Sequence, residues 1–172
     1  CITIQNKVAE LTQFFADHYE DEEMILRAFF AFSKSYSFLI HFNGNQFDLP
    51  FLLQKAKQYN LLDNFDDFTG IDLYKRISPY RNFLKLPNCK QKTLETFLNI
   101  SRKDLYNGGE LIKIYHEFVQ SSNPDTRELL LLHNKEDMLG MFQMLPILFY
   151  TEVLSGNFKI VKVQANYYKD MD

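Results

Sequence analysis

The chain opens on alternating positions, Ile2-Thr3-Ile4, and a second stretch suited to a strand runs from Val8 to Phe15. Asn6-Lys7 between them supplies a turn, so an antiparallel hairpin is predicted. Asp21 then stands as cap to a helix carrying Glu22 and Glu23 in its first turn, with Met24, Ile25, Ala28, Phe29 and Phe32 as its predicted buried stripe. Ser37 to Phe42 is nearly all apolar and too short for a helix, which predicts an interior strand ending at Asn43-Gly44. Pro50 falls in the first turn of a further helix that reaches about Tyr59. Asn60 to Gln91 has no regular period and contains Pro79 and Pro87. Short helices are predicted at Thr93–Leu98 and Glu110–Val119. A long helix starts near Thr126, behind Asn123-Pro124, and must break near Pro146. Beyond the Gly156-Asn157 turn, Phe158 to Ala165 reads as a last strand. Strands and helices intermix without repeats or low-complexity segments, which predicts one α/β domain over residues 1–172.

Composition narrows the classes. At 172 residues, with 46% apolar residues, 17 Phe and 10 Tyr, the chain can bury a sizeable core and is not wholly disordered. The net charge of −3 excludes a general polycation, yet charge is uneven. From Lys75 to Lys103 there are eight basic residues against one acid, Glu95, a local +7 that leaves −10 for the remainder. A basic stretch inside an acidic chain suits an enzyme that grips a polyanion in one place. Cys1 and Cys89 make neither a metal spacing nor a disulfide framework, so a reducing cytoplasm is expected. No apolar run approaches a membrane span, and no membrane partner is expected. A first residue other than Met predicts that the numbering starts inside a longer gene product, with further domains of that product as possible partners.

Two segments carry candidate chemistry. In Asn43-Gly44-Asn45-Gln46-Phe47-Asp48-Leu49-Pro50 a strand feeds a loop that presents Asp48 at the mouth of a helix, where open α/β sheets place ligands. The plain alternative is a helix cap beside a favourable proline. In His133-Asn134-Lys135-Glu136-Asp137, His133 and Asp137 share a helix face with Leu130, Met141 and Met144. A carboxylate in an apolar stripe needs a partner, and a divalent cation is one. His133 is placed to act on a water at such an ion. The alternative is an ion pair from Asp137 to a lysine or arginine, with His133 packed as a core imidazole. His18, His41 and His116 lack comparable company and read as structural or solvated.

Together the two segments resemble the DnaQ-like (DEDD) 3′→5′ exonucleases of the ribonuclease H-like fold, most closely the YprB-type predicted exonucleases. Asn-Gly-x-x-Phe-Asp-x-Pro is similar to the family's second motif and His-Asn-x-x-Asp to its third. Most relatives with this spacing have Tyr where His133 stands, and others have His one position earlier. Ile71-Asp72-Leu73-Tyr74, Pro79-Tyr80, Lys92-Thr93-Leu94-Glu95, Leu98-Asn99-Ile100-Ser101-Arg102 and Gly108-Gly109-Glu110 also read like the YprB type, and the resemblance runs from Cys1 to about Tyr150.

The resemblance implies a mixed sheet flanked by helices and hydrolysis of phosphodiester bonds at single-stranded DNA or RNA ends. It implies two Mg²⁺ or Mn²⁺ ions about 3.5–4 Å apart. Asp48 and Asp137 would be metal-binding and catalytic, His133 would act on the attacking water, and Asn43 and Gly44 would meet the terminal nucleotide. Asp72 is a weaker candidate, as an acceptor that fixes a loop. Tyr74, Arg76, Tyr80, Arg81 and Lys92 would follow the strand as stacking faces and phosphate partners. The alternative is a solvated loop whose basic count is chance.

The family's first motif, Asp-x-Glu on a central first strand, has no counterpart here. Asp21-Glu22-Glu23 sits at a helix start and is a cap. The strand is therefore expected just before Cys1, and without it the chain is expected to be poorly stable and nearly inactive. Two rival readings remain at this point: a non-catalytic ribonuclease H-like nucleic-acid-binding module that lost the first motif, and an α/β domain that binds only protein partners.

Overall fold

A computed structural model of the chain describes residues 1–61, 69–104, 106 and 108–155. The strand expected at Phe158 to Ala165, with its Gly156-Asn157 turn, lies outside them.

The opening hairpin pairs β1 (Ile2–Gln5) with β2 (Val8–Leu11), in register Ile2↔Leu11 to Gln5↔Val8. Asn6 and Lys7 both take positive φ, 51° and 64°, as a two-residue type I′ turn requires. The second strand stops at Leu11, earlier than the Phe15 the sequence predicted. Gln13 instead turns its amide to α6 (Pro124–Met144), donating to the Leu131 carbonyl at 2.9 Å and to Asn134 Oδ1 at 2.9 Å.

Helix α1 (Glu22–Ser33) forms where predicted, but the stripe is displaced. Leu26, Phe30 and Ser33 are buried, Phe29 and Phe32 are half-buried, and Met24 is 61% exposed. The stripe is the face that meets α2 (Asp48–Gln58), through Ala56, Leu52 and Tyr59, so the neighbour rather than the intrinsic apolar count chose it.

The next pair was only half legible. Strand β3 (Phe38–His41) lies parallel to β4 (Thr69–Asp72), in register Phe38↔Thr69 to His41↔Asp72, with α2 in the crossover between them. β4 falls inside the span that reads as irregular, because Gly70 and Asp72 break the strand pattern and pairing to β3 supplies the missing drive. β3 is not interior among the described residues. Its second edge pairs with no described strand, and Phe38 and Ile40 are 65% and 37% exposed.

The rest is helical: α3 (Leu73–Ile77), α4 (Gln91–Phe97), α5 (Gly108–Ser121), α6 and α7 (Ile147–Leu154). Pro124 begins α6 with Asn123 capping it through Asp125 N, and the chain breaks at Leu145-Pro146 as expected. Leu73, Ile77, Leu86, Leu94, Met144 and Ile147 form the larger core, which sets α4 and α6 side by side. The fold is mixed α/β, with helices around small sheets. No helix among the described residues is long and apolar enough to cross a membrane.

Candidate functional site

β3 and β4 end side by side at His41 and Asp72, and the chain beyond each end is held by those two residues. Asp72, buried, accepts from Asn43 N at 2.9 Å, from Asn45 Nδ2 at 3.3 Å and from Tyr74 N at 3.0 Å, so it fixes the loop and caps α3 at once. His41 accepts the Gly44 N–H on Nδ1 at 3.1 Å. A Cβ on Gly44 would stand 3.0 Å from that nitrogen, so only glycine lets the loop lie on the ring. Asn43 takes φ of 56°, a left-handed turn that asparagine tolerates. The loop thus delivers Asp48 as the first residue of α2, exposed and without an ion pair among the described residues. Desolvation raises its carboxyl above the ordinary value, against the opposing pull of His41.

A cleft of about 450 Å³ opens beside Asp48. Phe42, Phe47 and Tyr74 give it aromatic walls, and Lys90 and Gln91 line it as well. Gln91 donates through Nε2 to Glu95 Oε1 at 2.9 Å and to the Asp137 carbonyl at 2.8 Å. Asp137 therefore stands one residue behind the cleft wall.

On α6, His133 lies between two carboxylates: Nδ1 is 2.6 Å from Asp104 Oδ2 and Nε2 is 3.2 Å from Asp137 Oδ2. A neutral imidazole has one N–H to give, so this arrangement favours the imidazolium. Burial would lower the His133 value, but its bonds to Asp137 and Asp104 outweigh that and raise it. Arg102 Nη1 meets Asp137 Oδ1 at 2.7 Å and also reaches Glu95 at 3.1 Å. Burial pushes the Asp137 carboxyl up, and the bonds from His133 and Arg102 more than reverse it. Glu136 accepts Lys103 N at 2.9 Å and Asp104 N at 2.8 Å, anchoring that turn to α6.

Sequence reading gives no site role to Gln91, Glu95, Arg102 or Asp104, although Glu95 and Arg102 stand in segments that resemble the YprB type. The signal that marks Asp137, a carboxylate among apolar neighbours, is present at Glu95 between Leu94 and Leu98, and Glu95 is 1% exposed. Of the residues proposed to follow a nucleic-acid strand, Tyr74 lines the cleft and Arg76 is exposed. Tyr80 sits half-buried in a short 3₁₀ turn. Arg81 donates to the carbonyls of Leu86, at 3.2 Å, and Pro87, closing its own turn. Lys92 is spent on Asp104, at 3.4 Å, and on the Tyr106 carbonyl. Lys75, Lys85, Lys90 and Lys103 of the basic stretch are exposed.

The family model RNase_H_2, described as RNase_H superfamily, matches residues 1–148. The chain belongs to the RNase H superfamily. No curated protein and no solved structure matches it. Most members of the superfamily are nucleases, which act on nucleic acid and typically use Mg²⁺ or Mn²⁺. For this superfamily chain the donor set falls short of such an ion. Among the described residues no three His, Cys, Asp or Glu side chains are grouped to hold one, and both oxygens of Asp137 are already bonded. Hard cations of this kind take about six oxygen ligands, some of them water.

Proposed function

We propose that this RNase H superfamily protein is a metal-dependent 3′→5′ exonuclease of the DnaQ-like (DEDD) group, closest to the YprB type. It hydrolyses phosphodiester bonds at single-stranded DNA or RNA ends. The observation that carries the reading is the cleft at the ends of the parallel pair β3 and β4. One side presents the exposed carboxylate of Asp48, and the other backs onto the His133–Asp137 turn of α6.

In this reading Asp48 and Asp137 would hold the ion, and His133, charged while it bridges Asp104 and Asp137, would take the proton of the attacking water in its neutral form. Asn43 and Gly44 shape the floor for the terminal nucleotide, and Phe42, Phe47 and Tyr74 offer faces to a base. Lys90, Lys75 and Arg76 are the cations for phosphates. Two carboxylates are too few for a two-metal mechanism, so the reading requires the Asp-x-Glu pair from a further segment. The edge of β3 that pairs with no described strand, with Phe38 and Ile40 exposed, would accept a strand bearing that pair. Cys1 and Cys89 are both free thiols, in keeping with a cytoplasmic enzyme.

The test is digestion of a 5′-labelled single strand by the intact protein with Mg²⁺ or Mn²⁺. A ladder shortening from the 3′ end is expected, and Asp48→Ala or Asp137→Ala should abolish it. Undiminished cleavage by either variant overturns the assignment. One observation favours a second reading, a nucleic-acid-binding module without catalysis: Asp137 is already neutralised by Arg102. Strand binding with no cleavage under any divalent ion would establish that reading instead.

A further inference from the structure

The side chain of Arg102 is 9% exposed and surrounded by four carboxylates. Its Nη1 meets Asp137 Oδ1 at 2.7 Å and both Glu95 oxygens at 3.2 and 3.1 Å. Its Nη2 is 3.3 Å from Asp104 Oδ2, and its Nε stands 3.8 Å from Glu136 Oε2. That Nε is buried with no hydrogen-bond partner among the described residues. Arginine normally repays its burial by filling its fork of donors. Here one donor goes unused, so what the position supplies is positive charge more than a complete set of hydrogen bonds. Glu95, at 1% side-chain exposure, meets no other cation among the described residues.

We infer that Arg102 is a resident counter-ion that competes with divalent cations for the carboxylate of Asp137. This rests on the proposed reading of Asp137 as an ion ligand. His133 holds Oδ2 of Asp137 and Arg102 holds Oδ1, so an ion reaching Asp137 meets two cationic side chains already bonded to it. Arg102 need not leave the cluster when it yields, because Glu95 and Asp104 still hold it. It is a positioning residue: it keeps Asp137 aimed and charge-balanced before an ion arrives, and it weakens the ion's hold afterwards. Among the described residues Asp48 has no such guardian, so the two carboxylates differ in readiness: Asp48 has no paired cation there, and Asp137 already has two.

Removing Arg102 alone strands Glu95 as a buried charge and risks misfolding. The informative variant is therefore Glu95→Gln/Arg102→Gln, which removes one buried charge of each sign. Mn²⁺ binding to the intact protein, followed by the electron paramagnetic resonance signal of the free ion, is compared for wild type, the double variant and Asp137→Asn. The double variant should bind Mn²⁺ on the order of tenfold more tightly, the scale of one charge-assisted hydrogen bond. Asp137→Asn should bind more weakly. If Asp137→Asn weakens binding while the folded double variant binds as wild type or worse, the role of Arg102 is overturned and the nuclease reading stands. If Asp137→Asn binds as wild type, Asp137 is no ligand, and both fall together.

Discussion

Gln91 Nε2 donates to the backbone carbonyl of Asp137 at 2.8 Å, and so ties a wall of the cleft to the middle of α6. The same amide donates to Glu95 Oε1 at 2.9 Å, so one side chain serves both the helix and a buried carboxylate. Gln91→Ala should cost about 1–2 kcal/mol, since Glu95 would lose one of its donors while remaining buried. Urea unfolding reads this as a lower midpoint, and an unchanged midpoint would show that the bridge contributes nothing.

Gly140 lies on α6 directly against Glu95. Helix propensity alone favours alanine over glycine by about 1 kcal/mol in a helix interior. A Cβ at this position would overlap Glu95 Oε1 and sit 2.8 Å from its Cδ, and Glu95 is pinned by Gln91 and Arg102. The contact wins, and Gly140→Ala should destabilise by roughly 1–3 kcal/mol. A melting temperature that rises in this variant would refute the packing of α4 on α6.

Stability should have a defined pH window. His133 is held above its ordinary 6.5, so its contribution is complete below that value and is lost as pH climbs through the raised one. Asp137 and Asp104 are held below 3.8, so theirs is present above that value and is lost as pH falls through the lowered ones. Thermal melts across pH should therefore be highest from about pH 4 to 6.5 as far as this cluster governs them. His133→Asn should flatten the alkaline side of the profile. An alkaline decline as steep as wild type in that variant would assign the loss to other groups.

Asp48 carries the opposite sign. Its raised carboxyl value means that ionisation at neutral pH works against the fold. Asp48→Asn should leave the melting temperature equal or higher while removing nuclease activity, the mark of a residue kept for function at some cost to stability. A drop of several degrees would mean that Asp48 is a structural cap.

The hairpin, the helix starts at Glu22 and Pro124 and the break at Pro146 were legible because each is set by neighbours a few residues away. Asn6-Lys7 turns the chain by its own backbone preferences, and Asn123-Pro124 starts α6 through its own cap. β4 was not legible, because Gly70 and Asp72 hold a strand only by pairing with β3. The α1 stripe was displaced because α2 decided which face is buried.

The same division holds at the site. Sequence alone determined that Asp48 would stand at a helix mouth after a strand, and that His133 and Asp137 would share one face of α6, since both follow from chain geometry over a few residues. Only the tertiary structure decided which partner neutralises Asp137. Arg102 is 35 positions away in sequence, and nothing local specifies that its guanidinium, rather than a lysine or an ion, fills the space among Glu95, Asp104 and Asp137. Charge pairing of that kind is chosen by packing, because a buried carboxylate takes whichever cation the folded chain brings within reach.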